Sequence, residues 1–200
     1  VGGDLQFTNN HFWGGGTAIY LYGASNMLIN ADFSNNVIDS AGAQGVYFYY
    51  TRDLKMRNNV IHLHSSPAAS TQYGGYIYYA YEGTTLTGNK IVVPGGTTAY
   101  GLYFQYAYGN ASKNCVVANN VISAAGTTGA SYGIYCNNNA FQKIYNNSVV
   151  LTGGSATTAY AGLFLYTNNT YSNNEVRNNV FANLNGGRAA FFYAGATSAG

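Results

Sequence analysis

The chain has 200 residues, only 7% of them charged, with a net charge of +2, 26 glycines and 21 tyrosines. Its eight basic residues are scattered along the sequence, so nothing gathers the positive charge that phosphate contacts need, and no nucleic-acid partner is expected. No apolar run approaches the ~20 residues of a membrane span, and Asn, Ser, Thr and Tyr replace charges as the polar surface.

In chain order, one hexapeptide pattern (apolar, any, Asn or Gly, Asn, any, apolar) occurs seven times. It begins with Phe7-Thr8-Asn9-Asn10-His11-Phe12 and Phe33-Ser34-Asn35-Asn36-Val37-Ile38. Met56 to Ile61, Leu86 to Ile91, Val117 to Ile122, Ile144 to Val149 and Val176 to Phe181 follow. Its second Asn stands at Asn10, Asn36, Asn59, Asn89, Asn120, Asn147 and Asn179, at gaps of 26, 23, 30, 31, 27 and 32 residues. A self-similar unit of this length signals a solenoid whose units bury their apolar faces against their neighbours. Residues 1–200 are therefore expected to form one continuous domain.

Between the Asn motifs lie short aromatic strands, mostly introduced by Gly. They are Ala18 to Tyr22, Gly45 to Tyr49, Gly75 to Tyr79, Gly101 to Phe104, Gly133 to Cys136, Gly162 to Tyr166 and a weaker Ala189 to Tyr193. Period-two alternation of apolar and aromatic residues reads as strand. Ile19, Leu21, Val46, Phe48, Leu102, Phe104, Ile134, Leu163 and Leu165 fall on one face. Tyr20, Tyr22, Tyr47, Tyr49, Tyr103, Tyr135, Phe164 and Tyr166 fall on the other. In the third unit the alternation leaves open whether Tyr76 or Ile77 points inward. No helical period survives the recurrent Gly and Asn, so the chain is all-β, with three strands per unit and a Gly/Ser/Thr-rich return loop. Stacked about 4.8 Å apart, seven coils make a rod roughly 34 Å long.

The repeated Asn has a physical reason. A tight bend between strands leaves backbone groups that no sheet neighbour satisfies, and Asn tolerates left-handed φ while its amide both donates and accepts. Stacked coil on coil, such amides form a ladder. With the Gly-Ile-Tyr-like strands, these motifs resemble the repeats of the pectate-lyase-like superfamily, including the NosD or CASH type, over residues 5 to 193. The resemblance implies a single-stranded right-handed parallel β-helix. It says little about function, because that superfamily holds lyases, hydrolases, epimerases, adhesins and structural stalks. Neither end carries a recognisable cap, so further coils or self-association at the open ends are expected.

Enzymes of that superfamily place carboxylates and basic residues on the outer face of one sheet. This chain has six carboxylates, Asp4, Asp32, Asp39, Asp53, Glu82 and Glu175, and none on the outward face of the aromatic strands. Asp39 and His62 each lie three residues after their ladder Asn, so they are expected to be neighbours, as an acid–base pair or as plain cross-strand partners. The second reading is the weightier. Arg52 and Glu82, each seven residues after a Gly, are expected at one bend. His62 and His64 share a face, but the register supplies no third metal ligand, so no metal or cofactor is expected.

The outward row of Tyr20, Tyr22, Tyr47, Tyr49, Tyr78, Tyr103, Tyr135, Phe164 and Tyr166 suits sugar rings, or is simply a well-stacked strand surface. A Thr row (Thr17, Thr71, Thr97, Thr127, Thr157) raises ice binding, but its loops are unequal in length. Sequons at Asn110, Asn146 and Asn168 are ordinary in an Asn-rich chain. Cys115 and Cys136 read as buried thiols rather than a bridge. The expectation is a non-catalytic segment of a secreted or cell-surface protein, extracellular, serving as stalk, adhesin or filament part, with polysaccharide as partner through the tyrosines. The alternative is a polysaccharide lyase or glycoside hydrolase.

Overall fold

The computed structural model describes residues 4–24, 29–66, 71–153, 161–167 and 173–194. Every regular element in them is a strand. The first rung is β1 (Asp4–Thr8), β2 (His11–Trp13) and β3 (Thr17–Tyr22); the second is β4 (Asn30–Ser34), β5 (Val37–Ala41) and β6 (Gln44–Arg52). Next come β7 (Lys55–Arg57), β8 (Val60–Leu63) and β9 (Thr71–Tyr81), then β10 (Thr85–Thr87), β11 (Lys90–Val93) and β12 (Thr98–Gln105). The fifth rung is β13 (Cys115–Ala118), β14 (Val121–Ala125) and β15 (Ser131–Asn137); the sixth is β16 (Gln142–Tyr145), β17 (Ser148–Gly153) and β18 (Ala161–Thr167). The last is β19 (Glu175–Arg177), β20 (Val180–Asn183) and β21 (Arg188–Ala194).

Like positions of successive rungs pair in parallel, giving three sheets of seven strands and a climb of about six turns from first rung to last. The first sheet runs from β1 to β19, the second from β2 to β20 and the third from β3 to β21. This is the all-β parallel solenoid the repeat predicts.

The Asn motif is the corner between the first and second sheets. The residue before each ladder Asn has φ between 54 and 69° at Asn9, Asn35, Asn58, Gly88, Asn119, Asn146 and Asn178. This left-handed turn is why only Asn or Gly stands there. The ladder Asn then points inward, fully buried at Asn59, Asn120 and Asn147. Each from Asn10 to Asn147 donates its backbone N–H and its side-chain amide to the next one's Oδ1, as Asn89 does to Asn120 at 3.0 and 2.9 Å. The second amide hydrogen reaches a carbonyl of the coil before, Met56 in the case of Asn89, at 2.9 Å. Every polar group at the corner is thereby matched, which a buried bend requires.

The core alternates along the strands as expected, with Val46, Phe48, Leu102, Phe104, Ile134 and Leu163 fully buried. Ile77 is buried in the third unit, so Tyr76 points outward. The reason is that Gly74, not Gly75, occupies the glycine column with Gly45, Gly101, Gly133 and Gly162. Gly75 stands in register with Val46 and Leu102, in a core position. Each column glycine lies under the carbonyl of the next. A β-carbon on Gly45 would sit 2.5 Å from the Gly74 oxygen and against Ile61.

That one-residue difference corrects the expected Arg52–Glu82 pairing. Arg52 is in register with Tyr81, and Glu82 instead offers its backbone carbonyl to the Asp53 N–H at 3.0 Å. The Thr row does not form either. Thr17 stacks on Gln44 and Thr71 on Thr98, Thr97 and Thr127 lie in loops, and Thr157 falls outside the described residues. The sequon at Asn168 also lies outside them.

Candidate functional site

The three outer faces differ in chemistry. On the first sheet, the alternation turns Asp4, Asp32, Lys55, Arg57, Lys143, Glu175 and Arg177 outward, so charges scattered in sequence gather on one face. Near the first rungs they line a shallow cleft of about 370 Å³ with Asp4, Asp32, Asp53, Lys55 and Lys113. Arg57 Nη2 donates to Asp32 Oδ2 at 2.7 Å, and Lys113 Nζ to both Asp53 oxygens at 3.2 Å. Farther along, Glu175 is held by Tyr145 and Arg177. The hydrogen bond from Tyr145, with the Arg177 and Lys143 charges, keeps its carboxyl below the usual range.

The second sheet is mostly aliphatic outside, with Val121 and Val180 exposed beside Val92 and Val150. Asp39 and His62 do stand side by side here, in register, with Oδ1 and Nδ1 3.6 Å apart. The next partner of Asp39 is the exposed Trp13. His64 is exposed two residues beyond His62, and no group of three ligands able to hold a metal occurs among the described residues.

The third sheet carries the aromatics. One column is Tyr20, Tyr47, Tyr76, Tyr103, Tyr135, Phe164 and Phe191. The next is Tyr22, Tyr49 and Tyr78, then Gln105, Asn137 and Tyr166. The nine residues expected outward all lie in these two columns, which also contain Tyr76 and Phe191. Sequence reasoning missed two flanking columns. Tyr73, Tyr100 and Tyr132 each precede a column glycine, and that thrice-repeated Tyr-Gly pair was the available signal. Tyr50, Tyr79 and Tyr106 follow the strand face at a bend and have left-handed φ of 53 to 55°. Nothing in the sequence announces that conformation, because bulky residues avoid it.

Within a column most rings overlap, except that Tyr76 meets Tyr47 and Tyr103 edge-on. Tyr22–Tyr49 and Tyr49–Tyr78 are 4.8 and 5.1 Å apart with planes within 7°. Tyr103–Tyr135 and Tyr135–Phe164 are 4.9 and 4.5 Å apart, equally parallel. Parallel rings this close must be offset-stacked like roof tiles, so much of each ring face meets its neighbour. Across columns Tyr73 is turned near 90° to Tyr103 and Tyr49 to Tyr50, whereas Tyr20 and Tyr22 lie parallel. Ring rims and hydroxyls therefore face solvent along most of the sheet, while Tyr20 and Tyr22 at the first rung stay more than half exposed. Burial, then the repulsion of neighbouring phenolates, pushes the Tyr78 hydroxyl up to about 12 and Tyr76 and Tyr100 above that range. Each phenol hydroxyl of the face can both donate and accept a hydrogen bond, and at the last rung the Arg188 guanidinium lies over the Phe191 ring, 5.1 Å from its centre.

Inside the coil, Cys115 on the first sheet and Cys136 on the third are free buried thiols, raised to about 11 and 12, chiefly by burial.

No curated protein and no solved structure matches the chain. A family model described as a right-handed β-helix region matches residues 2–181. Nine-tenths of the sequence is thus accounted for by the repeat whose corners and sheets are described above, and the chain belongs to the right-handed β-helix family.

Proposed function

We propose that this chain is a non-catalytic β-helix segment of a secreted or cell-surface protein, a stalk or adhesin element that contacts polysaccharide through its tyrosine face. The observation that carries the reading is the separation of faces. The strands of the aromatic sheet carry no carboxylate and are lined with hydroxyls, while Asp32, Asp53 and Glu175 stand on or beside another sheet, each already matched to a cation. A run of protonated phenols exchanges hydrogen bonds with sugar hydroxyls, and the open Tyr20 and Tyr22 rings offer faces to a sugar ring. Affinity electrophoresis against neutral and acidic polysaccharides tests this. Replacing both Tyr47 and Tyr103 by Ala is expected to weaken retention about tenfold, the scale of one or two lost aromatic contacts. Absence of retention on every polysaccharide would sink the proposal.

A second reading, a polysaccharide lyase or glycoside hydrolase, is favoured by the cleft of Asp4, Asp32, Asp53, Lys55 and Lys113. The pairing of Asp32 with Arg57 and Asp53 with Lys113 weighs against it, since both carboxylates are already engaged. Release of new reducing or unsaturated ends, abolished by Asp32→Asn, would establish this reading instead.

A further inference from the structure

The tyrosine columns are joined to one another. Tyr50, Tyr79 and Tyr106 stack at 4.7 and 5.0 Å, although each holds a backbone conformation that bulky side chains avoid. At the same bend of the next coil stands Asn138, a residue better suited to that conformation. Their column touches the Tyr22–Tyr49–Tyr78 stack sideways, Tyr49 against Tyr50 at 4.6 Å and Tyr78 against Tyr79 at 4.6 Å. Tyr78 also meets Tyr106 at 5.6 Å. Rings in van der Waals contact thus run without a break across four rungs. Strain held at successive coils points to a use for the side chains it positions.

We propose that this array is a site of oxidative dityrosine formation, which stitches neighbouring coils together covalently. The oxidant class is a peroxide used in one-electron steps. Each of two phenols gives up one electron to the oxidant and its O–H proton to water, leaving two phenoxyl radicals. The radicals join ortho carbon to ortho carbon, and the two ring hydrogens at the new bond move to the oxygens, restoring both phenols. The peroxide O–O bond takes up the two electrons and two protons and leaves as two waters, or as two hydrogen sulfates when persulfate is used.

The arrangement favours this in three ways. A hole formed on any ring passes to rings in contact with it, so two radicals meet within the array and need not find each other through solution. Ring rims carrying the ortho carbons face outward, and half-exposed side chains are free to turn from a stacked to an edge-on pose. The half-exposed Tyr49 and Tyr50 phenols have water beside them to take the proton as the electron leaves.

The test is photo-oxidation of the intact chain with a ruthenium complex and persulfate, which works equally in urea. Dityrosine is read by its fluorescence in the monomer fraction and by mass spectrometry of linked peptides. The folded chain is expected to give about tenfold more than the urea-unfolded chain, with links among Tyr49, Tyr50, Tyr78 and Tyr79. The double variant Tyr50→Phe, Tyr79→Phe keeps the rings and removes the oxidisable hydroxyls; with an unchanged circular dichroism spectrum it is expected to lose most of the product. Equal yield in urea, an undiminished yield in the double variant, or links centred on Tyr145 outside the array would overturn the proposal.

Discussion

The backbone N–H and the side-chain amide of Asn59 both donate to one oxygen, Oδ1 of Asn89, at 3.0 and 2.9 Å. Replacing Asn89 by Ala removes that acceptor and leaves Met56 O and Asn120 Oδ1 short of a donor, all at a buried corner. Each such group costs about 1–3 kcal/mol when orphaned, so a loss of at least about 3 kcal/mol is expected in urea unfolding. Asn10→Ala, at an exposed corner with no coil before it among the described residues, is expected to cost only about 1 kcal/mol. Equal costs at both positions would mean that the ladder does not depend on burial.

The glycine column makes a second prediction. In Gly101→Ala the new methyl would meet the Gly133 carbonyl at 2.6 Å and crowd Ile122, so two neighbouring coils must separate. Overpacking of this kind costs about 1–3 kcal/mol. At Gly16 nothing lies within 4 Å of the added carbon, and the same change is expected to shift stability by less than about 0.5 kcal/mol. Thermal melts of both variants check the contrast.

Alkaline pH is expected to destabilise the fold through the tyrosine face. Tyr78 and Tyr49 are raised from 10.0 to about 12 by burial and neighbouring phenols. Above pH 10 the unfolded chain releases these protons while the folded chain still holds them. The folded state then binds more protons, and stability falls as pH rises from 10 toward 12. Tyrosinate absorbance during a pH titration reads the shift directly; midpoints near 10 throughout would contradict it.

On the acid side, Glu175 is held below 4.5 by the Tyr145 hydrogen bond and nearby cations. Its contribution is complete above 4.5 and disappears as pH falls through the lower folded value. Glu175→Gln is expected to lower stability at pH 7 and to change little at pH 3, flattening that part of the stability–pH curve, which urea titrations at the two pH values measure.

How much of this the sequence revealed depended on what each position requires of its side chain. Asn36, Asn59 and Asn120 were legible because a left-handed corner with unmatched amides accepts few residue types, so the chain repeats its solution. The slip at Gly74-Gly75 was not, because the two residues are chemically identical. Only the packing of Ile91 and Val93 against Gly74, and of Leu102 against Gly75, decides which belongs to the column. The charged face was hidden for another reason. Lys55 and Lys143 lie far apart in sequence and share a sheet only because return loops of unequal length restore the register. Asp39 and His62 were found together because no such loop stands between the ladder Asn and either residue. Tyr50, Tyr79 and Tyr106 escaped notice because their outward pose comes from a backbone turn that breaks the alternation used to read the strand.

The amide-to-amide links of the seven ladder asparagines all run in one sense, from Asn10 toward Asn179. Aligned amide dipoles add, and each polarises the next in a dry interior. The rod therefore has an electrical direction as well as a geometric one, with amide oxygen leading at the Asn10 end and amide hydrogen at the Asn179 end. A further coil could continue the chain of dipoles at either end only by lying parallel to those already there; an inverted coil would set oxygen against oxygen at the Asn10 end and hydrogen against hydrogen at the Asn179 end. The same corner residue that lets the backbone turn thus also gives the stack a sense of direction.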